Sequence, residues 1–230
     1  MDGPARYVAW INAHLGFNPR GAANSNALSD YVLDNLSFSS QEAIRPLVTS
    51  GELVPIKNAD VAVGSTGLTI RNIDLVLREK DPPMSVQLSV EHKTLMTAHG
   101  KARKNRYGDI IAYSNHMHNH RADCIAAATV IINTSEAYEN PDSFARGLIR
   151  PSLNMEKVVR DTVGVFENIP LRDGPTDPTE LPEALAVILI KYDGVNPASL
   201  VEGMPEVSSP SHYDNFVRRL AEKYLDRFGQ

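Results

Sequence analysis

Asp74, Glu91 and Lys93 are the residues of this 230-residue chain whose types and spacing are best suited to chemistry. Glu91 and Lys93 stand in Val86–Leu95, where Val86, Leu88 and Val90 alternate with Gln87, Ser89, Glu91 and Lys93. Side chains two apart on a strand share a face, so this acid and this amine project together, away from the apolar face. Asp74 lies upstream inside a second apolar stretch, Ile73–Leu77. Hydrolysing an unactivated phosphodiester requires neutralisation of the developing charge, an attacking water, and a group that orients or deprotonates that water. Two carboxylates from neighbouring strands suit a Mg²⁺-type ion, which prefers hard oxygen ligands. Such an ion polarises the phosphoryl oxygen and makes its bound water more acidic. A lysine beside it holds the water or stabilises the charge. Asp74 and Glu91 are the expected metal ligands, the His92 backbone carbonyl a third, and Lys93 the water-side lysine. The competing reading is an exposed cross-strand ion pair, worth about 0–1 kcal/mol. Glu91-His-Lys93 is the one acid–x–lysine triplet in the chain, so it was not selected from several.

The elements around these residues follow from periodicity. Tyr7, Val8, Ile11 and Leu15 predict a helix over Pro4–Leu15, followed by a turn at Asn18-Pro-Arg-Gly21. A second helix is expected from Asn24 or Ser25, with a stripe of Leu28, Tyr31, Val32, Asn35 and Leu36. A third opens at Ser39 or Ser40, carries Glu42 in its first turn and stops at Gly51. Leu53–Val63, the turn Gly64–Gly67 and Leu68–Leu77 read as a hairpin. Its alternation slips phase between Ile70 and Ile73, which predicts a bulge or bend near Arg71–Asn72, just before Asp74. A long helix is expected over Ala98–Asn119, with His99, Arg103, Arg106, Ile110, Tyr113 and Met117 along one side. Cys124–Ile132 is a continuous apolar run, the mark of a strand covered on both faces. A helix over Asn154–Asn168, a buried strand over Ala184–Tyr192, a loop over Asp193–Ser209 and a final helix capped by Ser209-Pro210 complete the pattern. With no internal repeat and no clean linker, residues 1–230 are expected to form one domain.

A net charge of −5 argues against a protein that coats nucleic acid through bulk charge. It leaves room for a site-specific DNA enzyme, which needs only a local basic lining. The one cysteine, Cys124, cannot form an internal disulfide and fits a reducing compartment. No secretory pattern opens the chain, and no apolar run approaches the roughly 20 residues of a membrane span. A cytoplasmic protein with no membrane association is expected.

Asp74 in a hairpin strand, Glu91-His-Lys93 in the next strand, a helix, and the buried Cys124–Ile132 strand together resemble the PD-(D/E)XK nuclease superfamily. That superfamily includes many type II restriction endonucleases and DNA-repair nucleases. The resemblance covers roughly residues 24 to 134 and departs from the pattern at Ile73, where the name-giving proline would stand. It implies an α/β fold with a restriction-endonuclease-like αβββαβ core, a mixed central sheet flanked by helices, and elaborations before and after it. It also implies Mg²⁺-dependent cleavage of double-stranded DNA, with Mn²⁺ able to substitute. Such enzymes often draw a fourth carboxylate from the helix ahead of the hairpin. Asp30, Asp34 and Glu42 are candidates here, and Asp30 is preferred.

Arg103 and Arg106, with Lys101 and Lys104 on the outer side and His99 at the helix start, are the expected DNA contacts. His116, His118 and His120 have no nearby cysteine or clear third ligand, so a polar helix end is expected rather than a zinc site. Phe216-Val-Arg-Arg219 on the last helix reads as core packing with an exposed basic face, or as a dimer contact. Cutting both strands of a short symmetric site is simplest for a two-fold homodimer. The alternatives are a DNA-repair or mobile-element nuclease with the same site, and a non-catalytic nucleic-acid-binding domain in which the carboxylates only pair with lysine and arginine.

Overall fold

In the computed structural model, which describes residues 1–39, 44–63, 69–82, 84–97, 99–138 and 154–229, three consecutive strands form an antiparallel meander. These are β1 (Leu53–Val63), β2 (Thr69–Glu79) and β3 (Val86–Leu95). A helix, α4 (His99–His120), then carries the chain across to β4 (Ile125–Asn133), which lies parallel to β3. Adjacent parallel strands require such a crossover, because a tight turn can only reverse direction. β5 (Ala184–Lys191) pairs parallel to β4, and the two-residue β6 (Ser199–Leu200) closes that edge antiparallel. The result is a six-stranded mixed sheet in the order β1-β2-β3-β4-β5-β6.

Helices cover both faces. On one side α1 (Gly3–Ala13), α2 (Ala22–Ser39) and α6 (Tyr213–Phe228) pack through Tyr7, Leu28, Val32, Phe216 and Leu220 onto Leu75, Leu88, Val90, Ala127 and Ile188. On the other, α4 and α5 (Met155–Glu167) pack through Ile110, Val159, Val163 and Phe166 onto Ala128, Val130, Leu185 and Val187. All nine residues of β4 are buried, as its unbroken apolar run requires. A short helix, α3 (Ile44–Ser50), precedes β1. Among the described residues no helix is long and apolar enough to cross a membrane.

Several sequence expectations shift. The second helix begins at Ala22, ahead of Asn24, and runs through Ser39, so Ser39 closes it rather than opening the third. Residues 40–43 and 64–68, where the third helix was expected to open and the hairpin to turn, lie outside the described residues. The bulge expected at Arg71–Asn72 is absent from the ladder, where Val61, Asp60 and Ala59 face Arg71, Asn72 and Ile73 in unbroken register. The phase does slip, at Asp74 itself. Ile73 and Val76 both pack with Tyr113 on the α4 side while Leu75 and Leu77 face α2, and the β1–β2 pairing lacks Asp74 and Asn58, the latter at φ 50°. A register shift falls between Leu77 and Arg78 on the β3 side. The loop expected over 193–209 contains β6. The final helix starts at Tyr213, with His212 Nδ1 accepting the Asp214 N–H, and not at Ser209-Pro210.

Candidate active site

β3 presents Leu88 and Val90 to the α2 side and Ser89 and Glu91 to the α4 side. The polar face that periodicity left open is therefore covered. Tyr113 of α4 donates to Ser89 Oγ at 2.6 Å, and both are buried. Cover thins toward the end of the strand, where Glu91 (5% exposed) and the half-buried Lys93 meet an open cleft of about 460 Å³. Asp74 lines the same cleft, with Asn72 and Asn58 beside it. The β2–β3 pairing begins at Leu75 opposite Val90, so Asp74 stands just outside it and reaches β3 through the His92 N–H. The three residues singled out by type and spacing thus share one cavity.

Glu91 is the centre of an unequal arrangement. Its Oε1 accepts from Lys93 Nζ and from Arg71, whose terminal nitrogen is 3.3 Å away. Its Oε2 is buried and has no hydrogen-bond partner. Leaving a carboxylate oxygen buried and unmatched is costly, so an atom in that state marks a place where a cation or donor belongs. Arg71 also lies over the Tyr113 ring, 5.4 Å from its centroid, which fixes the guanidinium beside the acid.

Asp74 accepts the His92 backbone N–H at 2.7 Å through Oδ2. Burial pushes its carboxyl above the usual range. The His92 N–H, Lys93, Ser25 and Arg71 oppose that shift without cancelling it. Ionising Asp74 is thus harder than ionising a free carboxyl, and a nearby cation would ease it. In an extended strand a residue's N–H and C=O leave on the same edge, so the His92 carbonyl points to the Asp74 side as well.

The His92 side chain turns the other way, under α2. Ser29 Oγ donates to the Asp74 carbonyl at 3.1 Å and lies 3.1 Å from His92 Nε2. His92 Nδ1 lies 2.8 Å from Thr129 Oγ1. With its own proton committed to Asp74, the Ser29 hydroxyl can only accept from the ring. Nε2 therefore carries the proton, and Nδ1 accepts from Thr129. The hydrogen bonds run one way, from Thr129 on β4 through His92 and Ser29 to the backbone of Asp74, and tie three strands and α2 behind the two acids. Burial drives the His92 pKa down to about 3, with Glu91 opposing the shift and Lys93 adding to it, so the ring stays neutral.

The remaining expected residues divide. Arg106 lines the cleft, with one terminal nitrogen 2.7 Å from Asp109. Arg103 lies 3.9 Å from Asp161 of α5, and Lys101 and Lys104 are exposed. His99 is turned inward, 3% exposed with Nε2 2.7 Å from the Asn133 carbonyl, so it ties helix to strand and offers nothing to a ligand. Asp30 is bound by Lys57 at 2.7 and 2.9 Å and Asp34 by Arg6, and neither lines the cleft. Glu42 lies outside the described residues. α2 contributes Asn24 and Ser25 instead. His118 is buried, not part of an exposed polar helix end: Nε2 meets Glu183 at 2.9 Å and Nδ1 meets the Thr179 carbonyl at 2.7 Å.

Sequence reasoning missed Arg20, Arg71, Ser29 and Thr129. Arg71 carried a signal, as a cation three residues before Asp74 on one strand. Arg20 carried none, because it reaches the cleft only through the fold of its turn, where Pro19 accepts from Thr94 Oγ1 at 3.2 Å. Searches of family models, curated proteins and solved structures returned no match to this chain.

The donor set can be tested against a Mg²⁺-type ion. Among the described residues no three His, Cys, Asp or Glu side chains come together to hold a metal. Mg²⁺ does not need three. It is commonly bound by one or two carboxylates, with water and substrate phosphate completing the shell. Glu91 Oε2 is an orphaned hard oxygen, Asp74 supplies a second acid, and the His92 carbonyl leaves on their side. The residues fit.

Proposed function

We propose that this chain is a Mg²⁺-dependent nuclease that hydrolyses phosphodiester bonds of double-stranded DNA, with a site of the PD-(D/E)XK kind. The observation that carries this reading is that Asp74, Glu91 and Lys93 line one open cleft in which Glu91 Oε2 is buried and unpartnered. The element order from α3 through β1, β2, β3 and α4 to β4 is also the αβββαβ order of the restriction-endonuclease-like core.

Asp74, Glu91 and the His92 carbonyl would hold the ion, Mg²⁺ or Mn²⁺. When bound, it supplies charge neutralisation at the phosphoryl oxygen and a more acidic water. Arg71 holds Glu91 in place through Oε1 and leaves Oε2 without a partner. Lys93 Nζ, released from Glu91 toward the substrate, orients the attacking water and stabilises charge on the phosphorus oxygens. The water gives up a proton to solvent and its oxygen bonds to phosphorus as the P–O bond to the leaving sugar oxygen breaks. That leaving oxygen takes a proton from solvent. Arg20 and Arg106, which line the cleft, would contact phosphates, with Lys101, Lys104 and Arg103 further along α4.

The reading extends to a cytoplasmic homodimer of the type II restriction kind, cutting both strands of a symmetric site. Plasmid incubated with Mg²⁺, against EDTA and Lys93→Ala controls, tests it. Discrete fragments that vanish in both controls are expected. Binding without cutting under Mg²⁺ and Mn²⁺ would sink it.

A further inference from the structure

A second cavity, of about 320 Å³, opens beside the cleft and shares Pro19, Arg20, Thr94 and Arg106 with it. It lies past the carboxyl end of β3, where the strands run parallel and where α/β sheets leave a ligand crevice. Arg20 and Arg106 line the cavity. Arg20 has no ion pair among the described residues, and Arg106 Nε is buried without a partner. Phe17, Met96, Ala102 and Tyr138 line it as well, together with Asn18 and Thr97. The aromatic wall is braced from behind. Phe17 stacks on Tyr192 at 5.7 Å between centroids, and Tyr138 packs on the same ring at 5.9 Å.

Cationic side chains beside braced aromatic and thioether surface in one cavity match the two halves of a nucleotide, phosphate and base. The volume lies at the low end for small-ligand sites, about 300–1,000 Å³. It is large enough for one nucleotide. Continuity with the cleft means that a strand whose phosphodiester lies against Lys93 reaches this cavity with a neighbouring residue.

We propose that this cavity receives a single unstacked nucleotide of the strand held in the cleft, so that the substrate is DNA opened, or carrying an unpaired nucleotide, next to the cut. This rests on the nuclease reading for the strand's position, while the pocket's preference for a base does not. The base would stack on the wall formed by Phe17 and Tyr138, a contact that tolerates sequence because every base has a π-face. Its phosphate would lie between Arg20 and Arg106.

The test separates pocket from chemistry. Calorimetric titration of the whole chain without metal compares a deoxynucleoside 5′-monophosphate with deoxyribose 5-phosphate. The nucleotide is expected to bind about 10-fold tighter, as base–aromatic stacking predicts. Ala102→Phe, which fills the cavity from α4 without touching Asp74, Glu91 or Lys93, should erase that advantage and leave deoxyribose 5-phosphate binding unchanged. Ala102→Leu serves if the larger variant fails to fold. With Mg²⁺, the wild type should cut a duplex bearing one unpaired nucleotide faster than its fully paired counterpart, and the filled variant should cut both alike. Equal affinity for the two ligands, or a preference that survives filling, overturns the pocket even if DNA is cut. A filling-sensitive nucleotide preference in a protein that cuts nothing sustains the pocket and removes the nuclease reading.

Discussion

Two buried glutamates sit among cations in this molecule, and they are treated in opposite ways. Glu183, at the start of β5, is wholly buried with both oxygens used. Arg227 reaches Oε1 at 2.8 Å, with Arg172 3.5 Å away, while His118 and the Ala126 N–H each reach Oε2 at 2.9 Å. Burial alone would raise its carboxyl, but His118, Arg227 and Ala126 together hold it below the usual range. Glu91 has two cations on one oxygen and nothing on the other, and it faces a cleft. The first arrangement is a clasp joining α4, β4, β5 and α6 in which both carboxylate oxygens are used, the unmatched atoms being Arg172 Nε and Arg227 Nη2 on the cation side. The second is electrostatically incomplete, and incompleteness next to open space distinguishes a site from a structural network.

Breaking the clasp should give the largest effect. Glu183→Ala leaves Arg172, His118 and Arg227 without their acid, and removing one partner of a buried ionic group costs about 3–5 kcal/mol. Chemical denaturation should register that loss. The wild-type clasp should also weaken in acid. A carboxyl depressed in the fold contributes stability that is fully present above its unfolded pKa and disappears as pH falls through the folded one.

Lys93→Ala should do the reverse, lowering the cleavage rate by about 10²–10³-fold, as loss of a charge-stabilising group does, with little change in melting temperature. If Lys93→Ala unfolds the chain while Glu183→Ala only lowers activity, the contrast between clasp and site is inverted.

His92 sharpens the comparison because it is a finished network serving the unfinished one. His92→Leu, which cuts the chain from Thr129 to Ser29, should reduce Mg²⁺ affinity or rate by about 10–100-fold. His92→Gln, which can accept from Thr129 and donate to Ser29, should recover most of it. Equal defects in the two variants would show that only packing matters there.

Asp74 carries a signature that Glu183 lacks. Its raised pKa means the fold holds a proton where the unfolded chain has already lost one. Stability therefore falls as pH climbs from the unfolded pKa through the folded one, and stays level beyond it. Asp74→Asn should melt higher than wild type at neutral pH without metal, with the gap closing in acid. Saturating Mg²⁺ should reverse the order, since a ligand at about 100 times its Kd adds roughly 2.7 kcal/mol. Thermal scans at several pH values, with and without Mg²⁺, would show whether the order reverses.

The smallest effect belongs to the rim. Arg20→Ala should weaken DNA binding evenly across sequences and reduce the salt slope by about one. Binding titrations at several ionic strengths would read this.

Much of the fold was legible. Runs such as Cys124–Ile132 and the stripe of α6 announced buried elements because burial on both faces or on one leaves a periodic trace. Asp74, Glu91 and Lys93 were legible because strand geometry makes i and i+2 neighbours. The break in alternation expected near Arg71–Asn72 falls at Asp74, because the positive φ of Asn58 on the neighbouring strand, which no apolar pattern records, sets where the strands change face. Asp30 and His99 carried the right chemistry in the wrong direction, one claimed by Lys57 and the other by the Asn133 carbonyl.

By itself the sequence determined the local order: which segments coil or extend, and which acid and amine share a strand face, since both depend on nearest neighbours along the chain. Only the tertiary structure decided that Arg71 would take one oxygen of Glu91 and leave the other bare, that Thr129, His92 and Ser29 would brace Asp74 from behind, and that Arg20 would line the cleft. Those relations join residues far apart in the chain, and their partners are chosen by packing across strands and helices, which no local pattern records.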